Sequence, residues 1–418
     1  MPAFKSDFLS ILSERGFIHQ ISNPRELDIL CSQGVVTAYI GYDLTASSLH
    51  AGHLTQLMLL FWLQKTGHKP ISLMGGGTSI IGDPSFRDES RRMMRSQEIQ
   101  ENIEKIKGIF SSFIKYGTGK TDALMLNNET WLCSIKYIDL LREIGSFFSV
   151  NRMLSFESVR SRLKREQSLS FLEFNYMILQ AYDFVELAKN YDCRLQMGGS
   201  DQWGNIICGI DLGERLKTPK LFALTSPLLT TASGTKMGKT LSGAIWLNKE
   251  MTSPYNFWQY WRNIDDADVV SFAKRLTTLP MSEIDRMAKL QGKEINEAKK
   301  IIATEITTMV HGREEAEKAA TAAMECFDMS IHSQHMPTIS ISKDEVSRGM
   351  GLLTLIVKAG FATSTNEARR HLKSNAIKIN NSIISNEKLQ IKLQDFDSTG
   401  NIKLSFGKKN HIICHLCG

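Results

Sequence analysis

The stretch VVTAYIGYDLTASSLHAGHLTQLMLLFWLQKTGHKPISLMGGG, residues 35–77, decides the fold. Its first ten residues are β-rich and apolar, the pattern of a buried strand. A polar loop, DLTASS, comes next, and an apolar helical run follows over about 50–66. KTGHKP (65–70) closes that helix, and ISLMGGG (71–77) starts a second strand. Strand, loop, helix and strand form a βαβ unit, which predicts an α/β fold with a parallel, doubly wound, Rossmann-like sheet. LQMGGSDQWGNI (195–206) repeats the pattern of strand, glycine turn and helix start. Ligands of such sheets bind at the carboxyl ends of the strands. The loops 43–53, 75–91 and 198–204 are therefore expected to converge on one crevice.

With 418 residues, 42% hydrophobic and 22% charged, the chain is sized for two or three globular domains. The apolar run Leu57–Leu63 falls far short of a membrane span. The N-terminus, MPAFKSDFLSILSERG, lacks the cationic start and apolar core of a secretory signal, so the cytoplasm is expected, with no membrane partner. Seven scattered cysteines exclude a disulfide scaffold. Cys414 and Cys417 in HIICHLCG could form half a zinc site, but no second pair completes it, and no metal is assigned to the protein. Residues 340–418 hold twelve lysines and arginines against six acids, so the whole net charge of +6 lies there. A basic terminal module on a neutral body suggests a polyanion partner, against the simpler reading of a well-solvated tail.

Three domains are expected. Residues 1–245 form the Rossmann-like catalytic domain, its helical insertion running over about 95–190. Residues 246–335 form an α-helical domain, and HSQHMPTIS (332–340) reads as a linker. Residues 345–418 form a small α+β module, with a helix pair (LLTLIVKAG, TNEARRHLK) and then alternating strands (AIKINNSII, NIKLSF).

Two glycine–lysine stretches, GTGKT (117–121) and SGTKMGKT (233–240), imitate phosphate loops. The leading glycine position holds Ile114 in one and Ser233 in the other, so neither is a P-loop. Lys236 and Lys239 nevertheless flank a glycine in a Gly/Ser/Thr-rich loop, a spacing suited to a polyphosphate or to plain solvation. His50 and His53 lack the third ligand and the HExxH pattern of a zinc site. They stand where a loop enters a helix, so unpaired amides and two imidazoles favour an anion there, and Gly52 leaves room for its approach. A buried histidine pair with no such job is the competing reading. Tyr176, Gln180 and Asp183 fall at i, i+4 and i+7, one face of one helix, where an aspartate among apolar residues needs a partner.

LHAGHL after a strand, with KMGKT nearly two hundred residues later, resembles the paired signatures of class I aminoacyl-tRNA synthetases. YIGYDLTASSLHAGHL, IIGDPSFR, EFNYMILQAYDF and GGSDQWGN are similar to the tyrosyl branch, bacterial or organellar, over nearly the whole chain. The C-terminal module resembles that branch's ribosomal-protein-like RNA-binding domain. Departures are mild: Ala51 replaces a larger apolar residue, Gly238 and Thr240 stand where the class has serines, and Arg87 stands where lysine is common.

The resemblance implies a two-step reaction. Tyrosine attacks the ATP α-phosphate, and the tyrosyl group then passes to the tRNA 3′ end with no covalent enzyme intermediate. His50, His53 and Thr45 would serve the phosphates, with Lys236, Lys239, Thr240, Arg87 and Arg91 as further catalytic groups. Tyr39 and Asp183 would hold the phenol of L-tyrosine, and Tyr176, Gln180 and Asp83 its amino group, with Asn128 near the latter. Gly41, Asp43, Gly52, His53, Asp201, Gln202 and Lys239 would line the ATP and adenylate site. Mg²⁺ is expected on the ATP, with no prosthetic group. The partner would be tRNA(Tyr), met by Lys358, Arg369, Arg370, Lys373 and Lys378 of the module. Helices over 252–330 would approach its anticodon, and the basic stretch 151–168 its acceptor arm. A homodimer is implied as well. The rival readings are a nucleotidyltransferase, a tryptophanyl enzyme, and an RNA-binding or RNA-folding protein that keeps a synthetase fold.

Overall fold

The computed structural model describes residues 4–82, 94–166, 168–232, 234, 237–240, 243–327, 337–397, 399–407 and 410–417. The central sheet holds β1 (Gln20–Ile21), β2 (Thr37–Tyr42), β3 (Lys69–Met74), β4 (Leu124–Asn127), β5 (Cys193–Gly199) and β6 (Phe222–Ser226). Their spatial order is β1-β6-β5-β2-β3-β4. All neighbours run parallel except the two-residue β1, which lies antiparallel on β6. The inner strands are buried on both faces, which is why they read as continuous apolar runs. From β2 the sheet grows one way through β3 and β4, and the other way through β5 and β6. The order therefore reverses between β2 and β5, and a crevice opens beyond Tyr42 and Gly199.

Helix α1 (Asp7–Glu14) precedes the sheet, and α2 (Leu54–Lys65) connects β2 to β3. Eight of the twelve α2 side chains are buried, as a crossover helix requires. Then come α3 (Gly76–Ile81), α4 (Ser96–Ser111), α5 (Phe171–Tyr191) and α6 (Trp203–Arg215). Residues 95–190 are mostly helical, as expected, but β4 lies within them at the sheet edge. Its sequence, LMLN, is only half-buried and too short to show a period of two.

Ser170 and Glu173 form a capping box that starts α5, and Glu173 is also the partner of Arg162, 2.9 Å away. Both side chains are buried. Arg152 pairs with Asp211 of α6. Two arginines of the basic stretch 151–168 are therefore engaged in ion pairs within the fold. No helix of the described residues is long and apolar enough to cross a membrane.

The chain divides into two compact units, residues 1–252 with 264–298, and residues 253–263 with 299–418. The division falls inside the stretch 246–335 read as one helical domain. Helix α7 (Val269–Leu276) belongs to the first unit, where Arg15, just after α1, donates to the carbonyls of Lys274, Thr277 and Leu279. A short hairpin of β7 (Lys239–Thr240) and β8 (Gly243–Ala244) also belongs there.

The second unit contains the helices Pro254–Arg262 and Arg313–Phe327, which pack together, and a five-stranded sheet. That sheet holds β9 (Thr338–Ser342), β10 (Ile377–Ile379), β11 (Ser382–Ile383), β12 (Asn401–Phe406) and β13 (Asn410–Cys417), ordered β11-β10-β12-β13-β9. Ile377, Ile402, Leu404 and Cys414 form a core with Leu355 of α8 (Leu352–Lys358) and Leu372 of α9 (Thr365–Lys373). Two expectations change here. The linker reading of 332–340 gives way at Thr338, because β9 pairs parallel with β13, so the module begins before residue 345. Residues 411–417 of the HIICHLCG tail belong to β13, inside the sheet. Cys414 is buried in the core and Cys417 Sγ donates to the Ile341 carbonyl, so the pair is structural.

Candidate active site

His50 is the cap of a tight turn, Ala51–His53, that leads into α2. Its own N–H donates to His53 Nδ1 at 3.1 Å, and the Gly52 N–H donates to His50 Nδ1 at 3.1 Å. An amide can only donate, so both Nδ1 atoms are acceptors and each neutral ring carries its proton on Nε2. The ring centroids lie 4.1 Å apart. Burial and the neighbouring His50 push the His53 pKa down to about 3, so His53 is a neutral donor at working pH. The free amides expected at this junction are otherwise engaged. Ala51 N–H donates to the Ile245 carbonyl, Gly52 N–H to His50, and His53 N–H to the His50 carbonyl. The donor this turn presents to an anion is thus the Nε2–H of the neutral His53 ring, not the backbone.

The lysine loop is stitched to this turn. Leu247 N–H donates to the Leu49 carbonyl at 2.8 Å, and Ile245 N–H to the Gly238 carbonyl at 3.0 Å. Gly238 has φ +96°, and a Cβ there would lie 2.7 Å from His50 Nδ1 and 2.9 Å from the Gly52 nitrogen. Only glycine fits that approach, which accounts for its place in KMGKT. Lys239 and Thr240 begin the β7–β8 hairpin. Lys236, Asp83, Arg87 and Arg91 lie outside the described residues. In GTGKT, the Asp122 carboxylate accepts from the Gly119 N–H at 2.9 Å, so the turn wraps a resident anion.

The switch point itself holds the second half of the site. Tyr39 projects from β2 and is 1% exposed, and its hydroxyl has no partner among the described residues. Asp183 of α5, 3% exposed, accepts from Asn128 Nδ2 at 2.9 Å and from Trp131 Nε1 at 2.7 Å. Desolvation raises the Asp183 pKa to about 7, opposed by those two bonds. Asn128, expected near an amino group, is bonded to Asp183. Two helical turns earlier, the Tyr176 hydroxyl donates to Asp43 Oδ1 at 3.2 Å. Gln180 Nε2 donates to Gln202 Oε1 at 3.5 Å, and Asn205 Nδ2 donates to Gln180 Oε1 at 3.1 Å. Asp201 lies so close to Gly199 that a Cβ there would come within 2.5 Å of Asp201 Oδ1. Gly41 is exposed at the strand end, and Thr45 is exposed on the loop that follows.

Trp131 and Gln196 escaped the sequence reading. Gln196 is the register partner of Tyr39 on β5, so the two share one sheet face. Its Oε1 is buried with no partner among the described residues. A glutamine inside the apolar strand CRLQMGG was the available signal.

Models of two families cover the chain: "tRNA synthetases class I (W and Y)" over residues 32–328, and "Tyrosine--tRNA ligase SYY-like C-terminal domain" over residues 328–414. The tyrosine--tRNA ligase of Bartonella quintana is 60% identical over 413 residues, covering 99% of both chains. The chain belongs to the tyrosyl-tRNA synthetases. That of Rhodopseudomonas palustris is 57% identical over the full length of both chains. Among solved structures, a C-terminally truncated mitochondrial tyrosyl-tRNA synthetase of Aspergillus nidulans superposes with a TM-score of 0.69 at 30% identity, covering 77% of this chain and 94% of that one. The corresponding Coccidioides posadasii protein gives 0.66 at 33% identity, covering 76% and 92%.

The five residues assigned to tRNA do not share one surface. Arg369, Arg370 and Lys373 lie on α9, and Lys358 ends the adjoining α8. Lys378 alternates with Ile377 and Ile379 on β10, so it faces away from those helices. Lys358 is paired with Glu345 at 2.7 Å, and Arg369 with Glu387 at 2.8 Å.

Proposed function

We propose that the chain ligates L-tyrosine to tRNA(Tyr) in two steps, through tyrosyl-adenylate with release of pyrophosphate, as its family does. One observation carries the substrate choice. The Tyr39 hydroxyl is buried with no partner among the described residues, on the sheet face that α5 and Asp183 cover. A phenol is the group that satisfies both, accepting from Tyr39 and donating to Asp183. Full-length similarity to ligases favours this over an RNA-folding role.

ATP–pyrophosphate exchange with each amino acid tests the reading. Exchange with tyrosine alone is expected. Its absence, or equal exchange with phenylalanine, would sink the proposal.

Catalysis in this reading is positioning plus stabilisation of charge on the phosphates, with no protein nucleophile. His50 and His53 donate through Nε2 to the ATP phosphates beside Thr45. Lys236, Lys239 and Thr240 close over the pyrophosphate, and Arg87 and Arg91 add charge. Asp83, Tyr176 and Gln180 bind the tyrosine ammonium. Gly41, Asp43, Gly52, Asp201 and Gln202 line the adenylate. Mg²⁺ is assigned to the ATP, and the cytoplasm to the protein.

Tyr39→Phe separates binding from stability. An unpaired buried hydroxyl costs about 1–3 kcal/mol, so this variant should melt at a higher temperature than the parent without tyrosine. Its tyrosine affinity should fall about fivefold, read by equilibrium dialysis, as one hydrogen bond of about 1 kcal/mol is lost and discrimination declines.

A homodimer is part of the proposal, and the observation behind it is surface apolarity. Eight apolar side chains between Tyr137 and Leu172 are at least 40% exposed, among them Ile138 at 69% and Phe171 at 68%. Such a concentration marks an interaction surface. Phe171→Asp should shift the protein to a monomer in sedimentation velocity. A monomeric parent would exclude the dimer. For tRNA, the arginines and lysines of α8 and α9 are the proposed contacts, with binding that weakens steeply as salt rises.

A further inference from the structure

The segment Asp43–Leu49 leads from β2 to His50 and closes no backbone hydrogen bond within itself. Side chains hold it from outside. The Leu44 N–H donates to Ser79 Oγ of α3 at 2.8 Å, and the Leu44 carbonyl accepts from Asn102 Nδ2 of α4 at 2.8 Å. Leu44 is fully buried, Ser79 is 2% exposed and Asn102 is 7% exposed. Both backbone polar groups of one buried residue thus rest on one side chain each.

Toward the other end, Asn248 Nδ2 donates to the Ser47 and Lys105 carbonyls, each at 3.3 Å, and the Asn248 N–H donates to Ser48 Oγ at 3.1 Å. Asn248 follows directly on the stretch 245–247 that stitches the lysine loop to His50. Asn102 and Lys105 are three apart on α4, so that helix holds Leu44 directly and Ser47 through Asn248.

Asn102 sits where an apolar residue would serve the helix better. Ile99, Ile103 and Ile106 form the buried stripe of α4, and Asn102 lies on it. Burying an amide there is costly unless it is bonded, and its bond goes to the loop. We propose that Ser79, Asn102 and Asn248 are positioning residues for adenylate formation. They fix residues 43–49 so that Asp43, Thr45 and His50 are presented to ATP as one unit. None touches substrate in this scheme; they act through the loop backbone. The proposal rests on the assignment of that loop to ATP.

The test compares Asn102→Leu, Ser79→Ala and Asn248→Ala with the parent in ATP–pyrophosphate exchange, with tyrosine Kd measured separately. Small displacements of reacting groups cost up to about 100-fold, so Asn102→Leu should lower kcat/KM for ATP by about 10–100-fold while tyrosine Kd stays within about twofold. Ser79→Ala should act in the same direction. The double variant should lose less than the product of the singles, since both hold one residue. Asn102→Asp should be worse than Asn102→Leu at pH 8, because a carboxylate then faces the Leu44 carbonyl, and should recover as the pH falls and the carboxyl becomes a donor.

Folded variants with unchanged ATP parameters would overturn the proposal, and so would a parallel rise in tyrosine Kd. Should Asn102→Leu fail to fold, Ser79→Ala and Asn248→Ala decide it on the same criteria. A parent that shows no exchange with tyrosine refutes the functional reading instead, so the two failures are distinguishable.

Discussion

Replacing Asp183 with alanine is expected to lower tyrosine activation by about 10³-fold or more and to leave the residual activation of phenylalanine nearly unchanged. Three losses coincide. The phenol loses its charged acceptor, a bond worth about 1.5–3 kcal/mol, and the Asn128 amide and Trp131 indole N–H lose theirs. Each buried donor left unpaired costs about 1–3 kcal/mol more. Tyrosyl-tRNA synthetases are themselves the reference case for such selectivity, rejecting phenylalanine by roughly 10⁵-fold without editing. That figure belongs to the family; the structure supplies the buried groups that an unsubstituted ring would strand.

The raised pKa of Asp183 adds a pH signature. Near pH 7 the carboxyl in the free protein is balanced between its two forms, because burial disfavours the charge. A donating phenol favours the ionised form. Tyrosine Kd should therefore rise as pH falls below about 7, approaching tenfold per pH unit, and level off above it. Phenylalanine has no phenol and should show no such slope. Stability of the free protein moves oppositely. A carboxyl with a raised folded pKa binds its proton more tightly when folded, so stability declines as pH rises from about 3.8 toward about 7. Asp183→Asn should flatten both profiles, and a pH-independent tyrosine Kd in the parent would count against this role.

What could be read in advance divides along sequence distance. The βαβ stretch 35–77 was legible because strand, loop and helix are contiguous and each carries its own periodicity. Tyr176, Gln180 and Asp183 were legible for the same reason, as one face of one helix. Asp183's partners were not, since Asn128 and Trp131 lie more than fifty residues away on another element. Asn102 likewise looks like an ordinary polar residue of an amphipathic helix until its contact with Leu44 is seen.

Long-range pairing also explains the terminal module. TISIS (338–342) does alternate, but it becomes a strand by pairing with residues 413–417, over seventy positions later. The tail lies against β12 on its other side, which turns a cysteine pair suggestive of metal into packing. At the histidines, the junction pointed to an anion for a reason that the structure revises. The amides near the turn orient the rings, and the neutral His53 ring presents a donor.

That revision yields the second large effect. His53→Leu should reduce the rate of adenylate formation by about 10²–10³-fold, the usual loss for one preorganised donor, about 3–4 kcal/mol. Tyrosine Kd should barely move, because the proposed site for the phenol is at the Tyr39 and Asp183 end. His53→Gln should retain much of the rate, since a carboxamide also donates from roughly that position.

The comparison discriminates a neutral donor from an acid or base. With its pKa held near 3, His53 does not change charge between pH 5 and 9, so the parent's rate should show no step from its titration. Its ionisation should appear in stability instead. The unfolded imidazole protonates near 6.5 and the folded one resists, so the folded state is favoured above about pH 6.5 and loses stability as pH falls toward about 3. His53→Gln should lack that contribution to the acid slope in urea titrations. A rate step near pH 6.5 that His53→Gln removes would instead make His53 a titrating catalyst and overturn its assignment as a fixed neutral donor.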